Sequence, residues 1–435
     1  MKSNFPLFIL FAFLAVMCAA CGHGSSSAAV STVTYVRLVN ATQLSDVKLT
    51  AVDSTNNPMS TANIPATGSS NYLSMTAGVV SVDVSSLSGT LAAPTVSSLS
   101  LSGGTYYTVV AYTHNNQIML AALTDDQTAP ATGFSSLAVR NVGADAGNLD
   151  IYLVTPGGSI TGLTPTITDV ADLGASLTKL ITAGTYDVVV TAYNNPSDVR
   201  LAVSSVEFSS SSIYSLLLTG TSGGALVNGT LVQQGGAASV HLADKARVRI
   251  ASAFATGGTA DVQVSIGAPV AVQLPAVYTP SVGTYGLVPA NSSAYYINVN
   301  GSQIASPPAV TFSSGGDYTI LVFGSDPADP QVTVLSDNNQ VPVSGANIRL
   351  INIAVSSPEG VSLTDNSVPV ASTTLYGQST GYFEVQAGTS VLQVQTPDST
   401  FSSYSSTQSI ANGVYSLFLL GTTSSSSQVI IRRDR

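Results

Sequence analysis

The chain has 435 residues, which is too long for one ordinary domain, and 44% of them are apolar, which is enough to build hydrophobic cores. Only 8% are charged and the formal net charge is −10, so a basic nucleic-acid-binding face is excluded and no nucleic acid partner is expected. Small and β-branched residues fill the rest of the chain, which favours short β-strands over long helices with charged faces.

The first segment predicts a targeting signal. Lys2 precedes a nearly continuous apolar run over residues 5–17, and small residues follow up to Cys21. A charged start, an apolar run and a small-residue cleavage site are typical of a secretory signal peptide. The run is shorter than the roughly 20 apolar residues that span a bilayer. We therefore predict a signal peptide at residues 1–20, and the residues around its cleavage site indicate that it is a lipoprotein signal peptide.

The sequence Ala-Ala-Cys-Gly at 19–22 resembles the lipobox of bacterial lipoproteins. The resemblance implies cleavage before Cys21 and lipidation, including palmitate, of that cysteine. The match departs from the pattern at Cys18, where Leu is usual, and ordinary cleavage that leaves a free thiol is the alternative. Gly22, rather than Asp, implies sorting to the outer membrane by resemblance to Gram-negative lipoproteins. Residues 21–31 predict a flexible tether.

The rest of the chain repeats itself four times. Each unit opens with a similar strand, "YVRLVNA", "LAVRNVG", "ARVRIASA" and "NIRLINIA", and Arg37, Arg140, Arg249 and Arg349 mark a period of 103, 109 and 100 residues. A second strand begins 70, 74, 69 and 66 residues after these arginines, at Tyr107, Tyr214, Tyr318 and Tyr415. Two landmarks at near-constant distance predict four repeats, at 32–131, 134–240, 243–343 and 345–435.

The pattern within each repeat predicts the fold class. A turn leads into a strand of alternating apolar residues, such as "QAGTSVLQVQT" at 386–396, and Gly-rich turns recur at short intervals. Units of about 100 residues with short strands predict an all-β protein of four tandem immunoglobulin-like antiparallel β-sandwich repeats. A β-propeller is the alternative, but its period is nearer 40–50 residues. Since each unit can bury its own core, we expect four beads on a string.

The repeated tyrosines and the opening strand suggest further expectations. A tyrosine repeated near a strand start is typical of a tyrosine corner, which is a structural role. The V-R-[LIV]-[IV]-N-A opening, with "NLDIYLVTPGG" at 148–158 and "AGTYDVVVTA" at 183–192, resembles a bacterial extracellular repeat domain of unknown function. That family occurs in tandem in lipoproteins and secreted proteins. The resemblance covers nearly all of residues 32–435 and implies no activity and no catalytic residues.

The residues that could perform chemistry are few. The three histidines, His23, His114 and His241, do not recur between repeats, so no catalytic triad is predicted. No catalytic residue, metal site or cofactor is predicted, and the protein is not expected to be an enzyme. Asp326 and Asp329 lie in an oxygen-rich turn that could hold calcium, but Asp-Pro pairs are ordinary turn formers and the turn is not repeated.

The four arginines form the most unusual pattern, because the chain has only 13 basic residues. An acidic residue follows each of them nine to twelve residues later: Asp46, Asp150, Asp261 and Glu359. We predict structural ion pairs across a hairpin, Arg37 with Asp46, Arg140 with Asp150, Arg249 with Asp261 and Arg349 with Glu359. Exposed pairs of this kind contribute a few tenths of a kcal/mol. The alternative is a row of cationic sites for an anionic ligand.

These observations predict a lipid-anchored cell-envelope protein of tandem β-sandwich repeats. It is expected to be non-catalytic and to act as a surface spacer or as an adhesion or binding module. The alternative is a carbohydrate-binding envelope protein, and a hydrolase with an unrecognised site is a third reading that the histidine count disfavours. The expected partners are the membrane, through the N-terminal lipid, and a polysaccharide or another envelope protein.

Overall fold

The computed structural model describes residues 32–42, 46–86, 97–114, 117–143, 146–255, 259–267, 271–342, 344–354, 360–395, 404–421 and 428–435. The predicted signal peptide, the tether, Cys21 and Glu359 lie outside these residues. Within them the chain consists of strands and turns, and no helix is long and apolar enough to cross a membrane.

The strands fall into four groups along the chain. The first group is β1 (Val33–Ala41), β2 (Asp46–Val52), β3 (Pro58–Ser60), β4 (Ile64–Pro65), β5 (Leu73–Thr76), β6 (Gly78–Ser86), β7 (Ser97–Leu101), β8 (Tyr106–His114) and β9 (Gln117–Thr124). The second is β10 (Phe134–Asn141), β11 (Leu149–Val154), β12 (Ile167–Val170), β13 (Lys179–Thr182), β14 (Gly184–Ala192), β15 (Asn195–Phe208), β16 (Ser212–Gly220), β17 (Val227–Gln233) and β18 (Ala238–His241).

The third and fourth groups follow the same plan. The third is β19 (Lys245–Phe254), β20 (Asp261–Ile266), β21 (Val272–Gln273), β22 (Val277–Tyr278), β23 (Ser281–Val282), β24 (Gly286–Pro289), β25 (Tyr295–Val299), β26 (Ser302–Gln303), β27 (Asp317–Gly324) and β28 (Gln331–Asp337). The fourth is β29 (Ala346–Ala354), β30 (Val361–Asp365), β31 (Val368–Thr374), β32 (Gln378–Ser379), β33 (Phe383–Val385), β34 (Gly388–Gln395), β35 (Tyr404–Ile410), β36 (Gly413–Gly421) and β37 (Gln428–Arg433).

Each group forms two sheets, which confirms the predicted all-β fold of repeated sandwiches. We call the sheet that contains the opening strand the first sheet; its core is β5-β1-β8-β9, β13-β10-β16-β17-β18, β19-β27-β28 and β29-β36-β37 in the four repeats. The second sheet contains β2, β11, β20 or β30. All pairs are antiparallel except one in each first sheet, where the opening strand runs parallel to the strand that carries the repeated tyrosine.

The predicted alternation builds a core inside each repeat. In β2, Val47, Leu49 and Ala51 are buried and face the opposite sheet, while the residues between them are partly exposed. The predicted tyrosine corners are also present: the hydroxyl of Tyr107, for example, accepts a hydrogen bond from the backbone N–H of Ser102 at 3.0 Å. Tyr214, Tyr318 and Tyr415 accept equivalent bonds from backbone N–H groups four or five residues earlier.

The expectation of beads on a string is wrong, because the first sheets pack against one another in pairs. The first sheets of repeats 1 and 2 share a buried apolar cluster, Val39, Ala41, Val110, Tyr112, Leu123, Leu217 and Val232. Those of repeats 3 and 4 share Ala251, Ala253, Val282, Leu321, Phe323, Ile351, Ile353, Phe418 and Leu420. In repeats 1, 3 and 4 the opening and tyrosine strands therefore bury apolar residues on both faces, one face in the repeat's own core and the other against the neighbouring repeat.

Replacing Ile351 by Ala tests this packing. Ile351 is fully buried between repeats 3 and 4, so its truncation should cost about 2–5 kcal/mol of the free energy of unfolding. The control is Val368→Ala on the exposed part of repeat 4, which should cost less than about 1 kcal/mol. Chemical denaturation measures both. Equally small losses of unfolding free energy in both variants would mean that the face of repeat 4 that carries Ile351 is exposed to solvent.

Candidate functional site

Among the described residues, the structure does not bring the predicted arginine–acid pairs together. The chain leaves the first sheet after each opening strand and enters the second sheet, so β1 and β2, for example, are not neighbours in a hairpin. Asp46 lies opposite Pro65 in the second sheet. Asp150 instead accepts hydrogen bonds from Thr168 Oγ1 and from the backbone of Asp169 and Asn194.

Asp261 likewise has a local partner, since it accepts a hydrogen bond from Gln263 at 2.6 Å. Arg249 therefore finds its acid elsewhere. For the fourth predicted pair, Glu359 lies outside the described residues, and the structure gives Arg349 a different carboxylate, that of Asp337. Arg37 and Arg249 do form ion pairs, but with Asp125 and Asp434 rather than with Asp46 and Asp261, and the pairing of Arg349 with Glu359 stays a prediction.

Three of the arginines make the same contact inside the first sheet. The parallel register places Arg37 opposite Thr108, Arg249 opposite Thr319 and Arg349 opposite Ser416. In each pair the arginine Nε donates to the hydroxyl, at 2.8, 2.9 and 2.9 Å. These arginines are at most 4% exposed, so the contacts lie in the interior.

An aspartate and a tyrosine complete each of these sites. The hydroxyl donates to an aspartate that follows it by 17 or 18 residues, which is Asp125, Asp337 or Asp434. The guanidinium lies over a tyrosine ring, 4.9 Å from the centroid of Tyr72, 4.5 Å from Tyr285 and 4.8 Å from Tyr382. We call each set an arginine cluster: Arg37, Thr108, Asp125 and Tyr72; Arg249, Thr319, Asp337 and Tyr285; Arg349, Ser416, Asp434 and Tyr382.

The clusters of repeats 3 and 4 exchange their charges. Arg249 of repeat 3 binds the carboxylate of Asp434 in repeat 4 through both terminal nitrogens. Arg349 of repeat 4 binds Asp337 of repeat 3 at 2.6 Å. The side chains of both aspartates are fully buried. The exchange has the reciprocal character of a two-fold interface, in which the same surface is used on both partners.

The pair of repeats 1 and 2 has only half of this arrangement. Arg37 reaches into repeat 2, but there it donates to the backbone carbonyls of Gln233 and Gly236. Asp125 stays within its own repeat, where it accepts hydrogen bonds from Tyr72 and Thr108 at 2.6 Å. The positive φ of 65° at Gly235 shapes the turn that presents the two carbonyls.

Repeat 2 has no arginine cluster, because Arg140 is not equivalent to the other three arginines. The repeated tyrosines pair with Val36, Leu137, Val248 and Ile348, and the next residue is the arginine in repeats 1, 3 and 4 but Ala138 in repeat 2. Gln234 stands where the other repeats have aspartate, and its side chain exchanges two hydrogen bonds with the backbone of Gln127. Arg140 is thus displaced by two residues.

Charge and burial act together on the groups at the interface of repeats 3 and 4. Burial alone would raise the pKa of Asp337, but Arg349 and Arg249 outweigh it and hold the pKa below its ordinary value. Burial, followed by the charge of Asp337, raises the pKa of Tyr285 well above its usual range. At neutral pH the Asp337 carboxylate is therefore charged and Tyr285 is a neutral donor.

A further buried ion pair lies within repeat 3, beside its junction with repeat 2. Arg247 makes a bidentate contact with Asp317, at 2.9 and 2.7 Å, and Asn339 donates to the same carboxylate. Close by, the hydroxyl of Thr221 in repeat 2 donates to the carbonyl of Gly315 in repeat 3 at 2.8 Å. Adjacent repeats are thus connected through buried polar contacts across all three junctions of the described chain.

A cavity of about 420 Å³ opens where repeat 2 meets repeat 4. Its walls carry three guanidinium groups, one carboxylate, one aromatic ring and two side-chain amides: Arg200, Arg433, Arg435, Asp172, Tyr193, Asn148 and Asn412. Sequence reasoning did not find it, because its members are more than 200 residues apart at the extremes and none belongs to a repeated pattern.

The remaining sequence candidates have ordinary surroundings. His241 is within 3.1 Å of the Ser239 hydroxyl, and burial lowers its pKa. Asp326 accepts a hydrogen bond from the backbone N–H of Ala328, as a turn-forming aspartate does. Among the described residues, no three His, Cys, Asp or Glu side chains group closely enough to hold a metal ion.

Comparison with known proteins gives one family match. The model of a domain of unknown function, DUF4397, matches residues 34–152, which run from β1 to β11. This supports the predicted resemblance to a domain-of-unknown-function family over that range. No curated protein matches the chain.

Several solved structures share local similarity. The TIE protein of Bacillus anthracis is 11% identical, with a TM-score of 0.16 over 71% of this chain, and the chain spans about half (49%) of that protein's length. A candidate cell adhesion protein from Bacteroides uniformis is 13% identical, with a TM-score of 0.23 over 47% of this chain and 99% of that one. A family 26 carbohydrate-binding module from Eubacterium rectale, solved with maltoheptaose, is 16% identical, with a TM-score of 0.16 over 46% of this chain and 96% of that one. These values are too low to transfer a function.

Replacing Asp337 by Asn tests the arginine clusters. The change leaves Arg349 without its carboxylate in a buried site, so it should cost about 3–5 kcal/mol of the free energy of unfolding. Asp46→Asn is the matched control: it removes the same charge from the residue that the sequence paired with Arg37, and it should change stability by less than about 0.5 kcal/mol. Denaturant titration measures the free energy of unfolding of both variants. A larger loss for Asp46→Asn than for Asp337→Asn would support the predicted pairing of Arg37 with Asp46 and contradict the arginine clusters.

Proposed function

We propose that the chain is a lipid-anchored, non-catalytic protein of the cell envelope, whose packed repeats form a binding module. The observation that carries the proposal is the use of buried charge. Three of the buried arginines, Arg37, Arg249 and Arg349, lie at the junctions between repeats, where they bind acceptors of the neighbouring repeat. A rigid assembly of sandwiches suits the presentation of a fixed binding surface better than it suits a long spacer.

The sequence supports the anchor. A charged start, an apolar run and small residues precede Cys21, which would become the lipid-bearing first residue of the mature protein. Stable anchoring takes more than one acyl chain, which lipoproteins of the type that this N-terminus resembles carry. Outer-membrane sorting is the further part of this proposal and depends on Gly22.

The second candidate function, carbohydrate binding, is favoured by one specific feature. The cavity between repeats 2 and 4 combines an aromatic ring with amide and charged side chains. Small-molecule sites are typically concave, lie at domain interfaces and have a few placed polar groups, and this cavity meets those criteria. The cavity therefore gives the proposed binding module a candidate site for a saccharide ligand.

Replacing Cys21 by Ser tests the anchor. Loss of the acylated residue should release the protein from the membrane fraction and remove palmitate labelling, because the remaining chain carries no acyl group. Cys18→Ser is the control and should stay acylated and membrane-bound, since Cys18 would be removed with the signal peptide. Membrane fractionation and mass spectrometry of the mature N-terminus measure both. Retention of Cys21→Ser in the membrane would contradict lipid anchoring.

A further inference from the structure

The cavity between repeats 2 and 4 concentrates positive charge in an acidic protein. The chain has 13 basic residues and a net charge of −10, yet three of its arginines line this one cavity. Asp172 is the only acidic side chain among the lining residues. A cleft lined mainly by one sign of charge attracts ligands of the opposite sign.

Arg200 is the buried part of this wall. It is 5% exposed, and its terminal nitrogens donate to the carbonyl of Ala225 at 2.8 Å and to Asp198 at 2.6 Å. Its Nε–H is buried and has no hydrogen-bond partner within the described part of the chain. A buried donor without an acceptor is costly, and an oxygen-bearing ligand in the adjoining cavity would relieve that cost.

Arg435 is short of negative charge. Burial, followed by the positive charges of Arg200 and Arg247, lowers its pKa, and the nearby Asp198 and Asp317 compensate only in part. Asp317 is already engaged by Arg247 in a bidentate contact. The electrostatic environment therefore favours the arrival of a further anion near Arg435.

The other lining groups narrow the class of anion. Tyr193 is 42% exposed and offers a ring face to the apolar side of a sugar, while the side-chain amide of Asn412 can exchange hydrogen bonds with hydroxyl groups. Arginine binds planar carboxylates in a two-pronged geometry. The volume of about 420 Å³ lies in the range of small-molecule sites and opens to solvent, so that a chain of sugars could pass.

We propose that this cavity binds a carboxylate-bearing saccharide, with the acidic group at the arginines and a sugar ring against Tyr193. The inference rests on the proposed function as a binding module and names its ligand class. Because the walls come from repeats 2 and 4, with Val341 of repeat 3 between them, the site exists only when the repeats are assembled.

Isothermal titration calorimetry of the full mature chain tests the proposal with three probes. Trigalacturonate should bind saturably at one site per chain, neutral maltotriose at least tenfold more weakly, and inorganic phosphate at least tenfold more weakly than trigalacturonate. Equal binding of phosphate would reduce the cavity to a general anion site and overturn the saccharide assignment. Absence of trigalacturonate binding would also overturn it, while the anchor, tested separately at Cys21, would stand.

Two variants and a control locate the binding. Arg435→Gln should weaken trigalacturonate binding at least tenfold, yet leave the ligand-free melting temperature unchanged or higher, because it relieves repulsion from Arg200. Tyr193→Ala should also weaken binding. Lys179→Gln removes one exposed positive charge of repeat 2 outside the cavity and should change affinity less than twofold. An equal loss in Arg435→Gln and Lys179→Gln would show a net-charge effect and contradict the site.

Discussion

An arginine side chain taken out of water needs a charge or several acceptors within reach, and this requirement organises the contacts between the repeats. Arg37, Arg249 and Arg349 are each almost fully buried. An unpaired buried charge costs several kcal/mol, so each must find its partners in the surrounding structure. In repeats 3 and 4 the carboxylate partners come from the neighbouring repeat, and separating the two would leave two arginines and two aspartates uncompensated.

The two pairs of repeats satisfy the same requirement in different ways. Repeat 2 has Ala138 and Gln234 where repeat 4 has Arg349 and Asp434, so it has no charge to exchange with repeat 1. Backbone carbonyls accept from Arg37 instead, and an apolar cluster covers the rest of the junction. The charged faces of repeats 3 and 4 are poorly matched to the neutral face of repeat 2. This difference favours pairing of repeat 3 with repeat 4 over pairing of either with repeat 2.

The sequence was sufficient for the fold class and for the structural tyrosines, because period-2 alternation and fixed spacings are local signals. It was insufficient for the arginine partners, since nothing local shows that the chain changes sheets after β1. Arg140 was wrongly grouped with the other three arginines because the repeats were aligned on their arginines. When they are aligned on the repeated tyrosine, Tyr214, the equivalent position in repeat 2 is Ala138. The 17–18-residue spacing to Asp125, Asp337 and Asp434 was readable in the same way.

The sequence contains a signal for the packing between repeats but none for the cavity. Continuous apolar runs such as 417–420 in β36 indicate burial on both faces of a strand, and they contradict the expectation that the repeats do not pack against one another. The walls of the cavity, by contrast, come from segments joined only by the assembled fold. Arg200 and Arg435 share no motif, so tertiary structure alone brings them together.

A double-mutant cycle on Arg349 and Asp337 tests the central claim most directly, since these residues belong to different repeats and meet at 2.6 Å. The free energy of unfolding is measured for the full chain, for Arg349→Met, for Asp337→Asn and for the double variant. Crossed, buried pairing predicts a coupling free energy of about 1.5 kcal/mol or more between the two sites. Losses that add to within about 0.5 kcal/mol would contradict it.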